Sequence, residues 1–142
     1  LKTLSKEFNI LITKANSDAM GSLFNNCFEI IQKDCPGKVK LVSALGKFNY
    51  FKAMNQCTFM LGNTSSGIIE AASFSKYVVN VGSRQKGRLR NDNVLDSSFE
   101  TEKILDAITS VSKIDIYEGR NKYVKDGTTD AIIKIIIQDA RL

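Results

Sequence analysis

Short apolar, β-branched runs alternate with helical patterns along the whole chain, and that alternation narrows the fold more than any other feature. The runs are FNILIT (8–13), KVKLVS (38–43), CTFML (57–61), YVVNV (77–81) and the weaker NVLDS (93–97). Each has strand length and is bounded by Gly, Asn, Asp or Ser. Between the first two, Met20, Leu23, Phe24, Cys27, Phe28, Ile30 and Ile31 recur at helical spacing, with Asn25, Gln32 and Lys33 opposite, so 19–34 is predicted to be an amphipathic helix. Residues 47–56 and 66–75 read as two more helices. ETEKILDAITSVS supplies Ile104, Leu105, Ile108 and Val111 on one face, and TTDAIIKIIIQDARL opens with Thr and Asp suited to a cap before a broad face of Ile132, Ile133, Ile136 and Ile137. Parallel strands need crossovers, and helical crossovers cover both faces of the sheet they serve. The prediction is an α/β, Rossmann-like parallel sheet of about five strands with helices on both faces. Strand 8–13 should lie beside 38–43, and 77–81 between 57–61 and 93–97. Direct pairing of 8–13 with 57–61 would complete one sheet in the order 2-1-3-4-5; otherwise a gap is left there for another copy to fill.

With 142 residues, 43% hydrophobic and 25% charged, the chain reads as one globular domain, 1–142, without repeats or linkers. The apolar run IIKIII is broken by Lys134 and is far shorter than the ~20 residues of a membrane span. The first residue is Leu1, followed by KTLSKEFN, which reads as a cut inside a longer chain rather than a leader. Cys27, Cys35 and Cys57 are odd in number and show no CxxC spacing, which favours buried thiols in a reducing cytoplasm over disulfides or zinc. No metal or other cofactor is expected, and Asp115, Asp126 and Asp130 look like turn and cap residues. Histidine is absent, and with it the commonest general base.

The net charge of +5 admits either nucleic acid or a smaller anion. Much of the excess lies in SRQKGRLR, where Arg84, Lys86, Arg88 and Arg90 alternate without interleaved aromatic residues. Single-strand binders stack bases on aromatic rings, so a local anion site or a solvated loop fits better, and no nucleic-acid partner is expected. The complementary feature is FMLGNTSSGIIEAASF (59–74). Ligands of open parallel sheets bind beyond the carboxyl ends of the strands, and GNTSSG occupies such an end just before a helix. Thr64, Ser65 and Ser66 add hydroxyls, while Gly62 and Gly67 permit close backbone approach. A phosphate fits there; so does an ordinary capped turn. Glu70, set among Ile68, Ile69, Ala71 and Ala72, has the chemistry to accept hydrogen bonds from two ribose hydroxyls, and on local grounds an exposed Glu favoured by the helix start reads equally well. Arg84 follows the next strand end, on the same rim.

GNTSSGIIEAASF, followed by VVNVGSRQKGR and NVL, resembles the C-terminal half of the UDP-N-acetylglucosamine 2-epimerase family, above all its hydrolysing branch in sialic- and nonulosonic-acid synthesis. TKANSDAMG (13–21) and IYEGRNKYVKDGTTDAII (116–133) extend the resemblance to nearly the whole chain. Thr64 stands where Ser is usual, and Ala15, Ala72 and Tyr77 where Pro is common. The resemblance implies the second half of a two-domain, glycosyltransferase-B-like fold, with its first strand and its N-terminal partner domain missing here. It implies a UDP site in which Thr64, Ser65, Ser66 and Gly67 take the phosphates, Glu70 the ribose, and Arg84 the nucleotide or its loop. Asn16 would approach the ligand and Leu45 would pack near the uracil. The substrate implied is UDP-N-acetylglucosamine, from which UDP is eliminated to a 2-acetamidoglucal that water converts to N-acetylmannosamine. None of these residues is catalytic, since the acid and base belong to the absent domain, so the isolated chain is expected to be inactive. A cytoplasmic homo-oligomer is implied. A retaining glycosyltransferase and a non-catalytic nucleotide-binding module are the competing readings.

Overall fold

The structure is a computed structural model that describes residues 1–15 and 20–140. It divides into two compact units, Leu1–Phe51 and Lys52–Leu142.

In the first unit a 3₁₀ turn (Leu4–Lys6) leads into β1 (Ile10–Thr13), followed by α1 (Gly21–Asp34) and β2 (Val39–Val42). β1 and β2 pair in parallel, with Ile10 opposite Val39 and Thr13 opposite Val42, as the sequence predicts. Hydrogen bonds from side chains pin α1 to the strands: Gln32 accepts from Leu41 N–H, and Asn25 both accepts from Ala15 N–H and donates to its carbonyl. The amphipathic face of α1 is covered only along a strip. Phe28 and Ile31 are half-buried, whereas Leu23, Phe24, Cys27 and Ile30 are exposed. A two-stranded sheet is narrower than the apolar stripe that periodicity assigns to the helix. The thiols depart from the expected burial: Cys27, on the uncovered part of α1, is exposed, and Cys35 and Cys57 are half-buried.

α2 (Gly46–Gln56) contains the division between the units. The second unit then runs β3 (Phe59–Gly62), α3 (Ser65–Ile69), a 3₁₀ turn (Ala71–Phe74), β4 (Tyr77–Val81), β5 (Val94–Ser97), α4 (Thr101–Ser112) and α5 (Thr128–Asp139). β4 lies between β3 and β5 and pairs with both in parallel, again as predicted. Val78, Val79, Asn80 and Val81 are all buried, and because successive side chains on a strand point to opposite faces, both faces of this sheet are covered. α3 and its 3₁₀ extension pack on β4, and α4 packs on β4 and β5. Ile68, Ala71 and Ala72 of the former and Ile108 and Val111 of the latter are buried in this core.

Three expectations are corrected here. The strands form sheets of two and three, β1-β2 and β3-β4-β5, rather than one of five. Strand–helix alternation dictates parallelism within each crossover unit but carries no information about which free edges meet. The helix expected over 66–75 breaks at Glu70 into a short α-helix and a 3₁₀ turn, ended by Ser75 in the left-handed conformation at φ 57°. α5 is capped by Gly127 at φ 73°, without a side-chain cap; Thr128 instead donates to the Lys125 carbonyl, and Asp130 lies in the first turn. The isoleucines of α5 form the expected apolar face, but none of its residues is buried.

The segment after α4 is fastened to the second unit's core by Asn121. Its Nδ2 donates to the Ile69 carbonyl at 2.8 Å and to Ser73 Oγ at 2.7 Å, while its Oδ1 accepts from Asn91 Nδ2 and from Tyr123 N–H. Tyr117, also buried, packs edge-on against Tyr77 with ring centroids 5.8 Å apart. IYEGRNKY is thus a strap whose side chains satisfy polar groups that the break at Glu70 releases.

Candidate functional site

The carboxyl ends of β3 and β4, neighbours in one parallel sheet, carry the two loops singled out in the sequence. At the end of β3, Gly62 adopts φ +149°, a conformation open to glycine, and turns the chain into Asn63 and Thr64. Thr64 is the N-cap of α3 and accepts from Ser66 N–H at 3.3 Å through its hydroxyl oxygen. Thr64 and Ser65 are exposed and Ser66 half-buried. Gly67 serves packing: a Cβ there would lie 2.9 Å from Val78 Cγ1, so α3 sits against β4 only because this position is bare.

Glu70 lies at the break, at once the C-cap of α3 and the residue before the 3₁₀ turn. The buried face of this segment is Ile68, Ala71 and Ala72, at i, i+3 and i+4, which leaves Glu70 on the flank, half-buried. Its carboxylate makes no hydrogen bond or ion pair among the described residues. Its position therefore needs no polar pocket within the core.

At the end of β4 the chain turns through Gly82 into the basic stretch, where the four cations part company. Arg84, Lys86 and Arg88 are exposed. Arg90 is not available as an anion ligand: its Nη1 donates to both carboxylate oxygens of Asp96, at 2.7 and 2.6 Å, and its Nη2 donates to the Gln85 carbonyl at 3.2 Å. Asp96 also accepts from Asn80 Nδ2 at 2.8 Å. Burial pushes the Asp96 carboxyl upward, but the hydrogen bonds from Asn80 and Arg90 outweigh it and hold the group below its ordinary range. Gln85, which the sequence reading passed over between two cations, is 3% exposed and donates through Nε2 to the Asn63 carbonyl at 2.6 Å. The signal available for it was an uncharged carboxamide in the middle of an otherwise charged run.

Thr64, Ser65, Ser66, Gly67, Glu70 and Arg84 all belong to the second unit, and the Gln85–Asn63 bond ties the loops that carry them. Leu45 belongs to the first unit, half-buried just before α2, and Asn16 lies outside the described residues. A concavity of the first unit, lined by Asn9–Leu11, Gln32 and Pro36–Lys40, opens at the amino ends of β1 and β2, the end opposite to that which parallel sheets use for ligands. Among the described residues no group of His, Cys, Asp or Glu could hold a metal ion, and no helix is long and apolar enough to cross a membrane.

Comparison with known proteins gives a consistent result. The profile of the UDP-N-acetylglucosamine 2-epimerase family matches residues 1–137. A GDP/UDP-N,N'-diacetylbacillosamine 2-epimerase (hydrolyzing) of Campylobacter jejuni is 41% identical over 108 residues, covering 70% of this chain and 27% of that protein. A UDP-N,N'-diacetylbacillosamine 2-epimerase (hydrolyzing) of Legionella pneumophila is 42% identical over 104 residues, covering 72% of this chain and 26% of that protein. The polysialic acid biosynthesis protein P7 of Escherichia coli is 29% identical over 131 residues, covering 82% of this chain and 32% of that protein. The chain thus spans about a quarter to a third of the length of these relatives.

Proposed function

Because the chain belongs to the UDP-N-acetylglucosamine 2-epimerase family, we propose that it is the UDP-binding part of a hydrolysing nucleotide-sugar 2-epimerase. The observation that carries the reading is the junction of loops 62–67 and 82–90 through the Gln85–Asn63 bond, which brings hydroxyls, an unpaired carboxylate and Arg84 to one rim of one parallel sheet. In this reading Thr64, Ser65, Ser66 and Gly67 receive the diphosphate and Arg84 answers its charge. Glu70 holds the ribose hydroxyls. Asn16 and Leu45 keep the nucleotide contacts that the family resemblance implies for them. The sugar–UDP bond breaks with loss of the C2 proton, giving a 2-acetamidoglucal and UDP, and water then adds to the glucal. Donors and positive charge at the departing diphosphate stabilise the transition state in which that charge develops. The acid–base groups lie in another part of the parent protein.

Two relatives at 41% and 42% identity are named for diacetylbacillosamine, which favours a UDP-sugar with two acetamido groups over UDP-N-acetylglucosamine as the substrate. Sugar transfer to an acceptor, the glycosyltransferase alternative, is separated from this by product analysis of the full-length protein: free 2-epimeric sugar plus UDP supports hydrolysis, and a glycoside refutes it. For the site itself, Glu70→Ala and Arg84→Ala in the full-length protein should each weaken UDP binding roughly ten- to a hundredfold by calorimetry, since charge-assisted hydrogen bonds contribute ~1.5–3 kcal/mol each. Loss of Arg84 should also flatten the salt dependence, and loss of Glu70 should abolish the preference for ribose over deoxyribose. Unchanged UDP affinity in both variants would refute the site.

A further inference from the structure

We propose that Gln85 is a positioning residue for the diphosphate loop, holding the Asn63–Thr64 peptide so that the loop presents its donors to the phosphates. The proposal rests on the UDP-binding reading and adds a residue that neither the sequence motif nor the family resemblance singles out.

Three observations converge on it. First, Gln85 is buried and donates to the Asn63 carbonyl at 2.6 Å, a short bond between two loops that are 22 residues apart in sequence. In a trans peptide the carbonyl and the following N–H point in opposite directions, so fixing the Asn63 oxygen turns the Thr64 N–H away from Gln85 and sets the entry into α3. Second, Gln85 is itself held from behind, because its backbone carbonyl accepts from Arg90, whose guanidinium is locked on Asp96. A side chain braced in this way transmits position rather than merely filling space. Third, three buried side-chain oxygens find no hydrogen-bond partner among the described residues, and two of them, Gln85 Oε1 and Ser66 Oγ, belong to the two loops that this bond joins. Buried polar atoms are ordinarily satisfied, so one such atom on each of the two joined loops calls for a partner, and a bound ligand is one that would supply it.

The test uses the full-length protein with UDP and with uridine, which lacks the phosphates. Gln85→Met keeps the bulk and loses the donor; Gln85→Glu keeps length and shape, and its carboxylate is unable to donate to the Asn63 oxygen. Each should weaken UDP binding roughly tenfold, as small misplacements of preorganised donors do, while uridine binding changes by less than about twofold, so that the preference for UDP over uridine collapses. A purely structural role for Gln85 would weaken both ligands together, and unchanged UDP binding would show no role; either result overturns the proposal. Arg84→Ala, measured in the same series, separates the two failures. If it weakens UDP and the Gln85 variants do not, Gln85 loses its role and the site stands. If neither changes UDP binding, the diphosphate does not lie on this rim and both readings fall.

Discussion

Gly67→Ala should destabilise the second unit although alanine is the better helix former. In a helix interior alanine is favoured over glycine by about 1 kcal/mol, so without tertiary contacts the substitution would be stabilising. The added Cβ, however, would stand 2.9 Å from Val78 Cγ1, 3.7 Å from Val78 Cγ2 and 3.8 Å from Thr64 Cγ2. Carbon atoms pack at roughly 3.5–4.0 Å, so α3 must retreat from β4 by roughly 0.6–1 Å or Val78 must leave its rotamer. Val78 is 3% exposed in a sheet covered on both faces, and overpacking of this kind costs about 1–3 kcal/mol. The net expectation is a loss of about 1 kcal/mol. Amide hydrogen exchange of α3 in the full-length protein reads this locally. On the proposed placing of the diphosphate at the loop before α3, the same retreat should weaken UDP binding about tenfold or more, as displacements of 1 Å at a preorganised site do. Val78→Ala removes the clashing Cγ1 methyl, and in that background Gly67→Ala should turn neutral or stabilising, a favourable coupling of about 1–2 kcal/mol. Slower exchange in Gly67→Ala alone, with UDP affinity intact, would refute the packing argument.

Asn121→Ala strips one hydrogen-bond partner from each of Ile69, Ser73, Asn91 and Tyr123. At about 1 kcal/mol for each of the better bonds, a destabilisation of about 3 kcal/mol is expected, read as early proteolysis within the 116–123 strap; unaltered protection would refute it. The Asp96 carboxyl is held below its ordinary range. Its contribution is therefore complete above the unfolded aspartate value near about 3.9 and is lost as pH falls through the lower folded value. Asp96→Asn should accordingly be less stable than the parent at neutral pH, with the difference vanishing below the ordinary aspartate range. A difference that grew with acidity would reverse the sign and sink the assignment.

What the sequence disclosed depended on whether the signal was local. All five strands, the α1 pattern and α4 were legible because period-2 and period-3.6 patterns are written within one element. The break at Glu70 was not, since Ile68, Ala71 and Ala72 keep the spacing of a continuous helix while the backbone tightens around them. Sheet continuity was not legible either: β1 and β3 each offer an edge, and nothing in either run specifies its neighbour. The isoleucines of α5 announce an apolar face without announcing what it packs on. In the basic stretch, charge alone gave Arg84 and Arg90 the same standing. Their separation depends on Asp96, which is neutral information in sequence and decisive in space.

That separation follows from strand register. Asn80 on β4 and Asp96 on β5 are direct partners in the parallel pairing, and their side chains hydrogen bond across the strands. Asp96 captures Arg90, Arg90 supports the Gln85 carbonyl, and the Gln85 carboxamide reaches the Asn63 oxygen. A run of hydrogen bonds therefore leads from the sheet to the loop at the end of β3, crossing from β5 to β3 by way of the loop that follows β4. A one-residue slip between β4 and β5 would move Asp96 to the opposite face of the sheet, leaving Arg90 without its acceptor and Gln85 without its brace. The cation at the end of the basic stretch thus acts on the fold, whereas Arg84, two residues beyond Gly82, is exposed. The same economy accounts for Glu70. The strap from α4 satisfies the backbone that the helix break exposes, through Asn121 on the Ile69 carbonyl, and the Glu70 carboxylate next to that carbonyl takes no part in that bonding among the described residues.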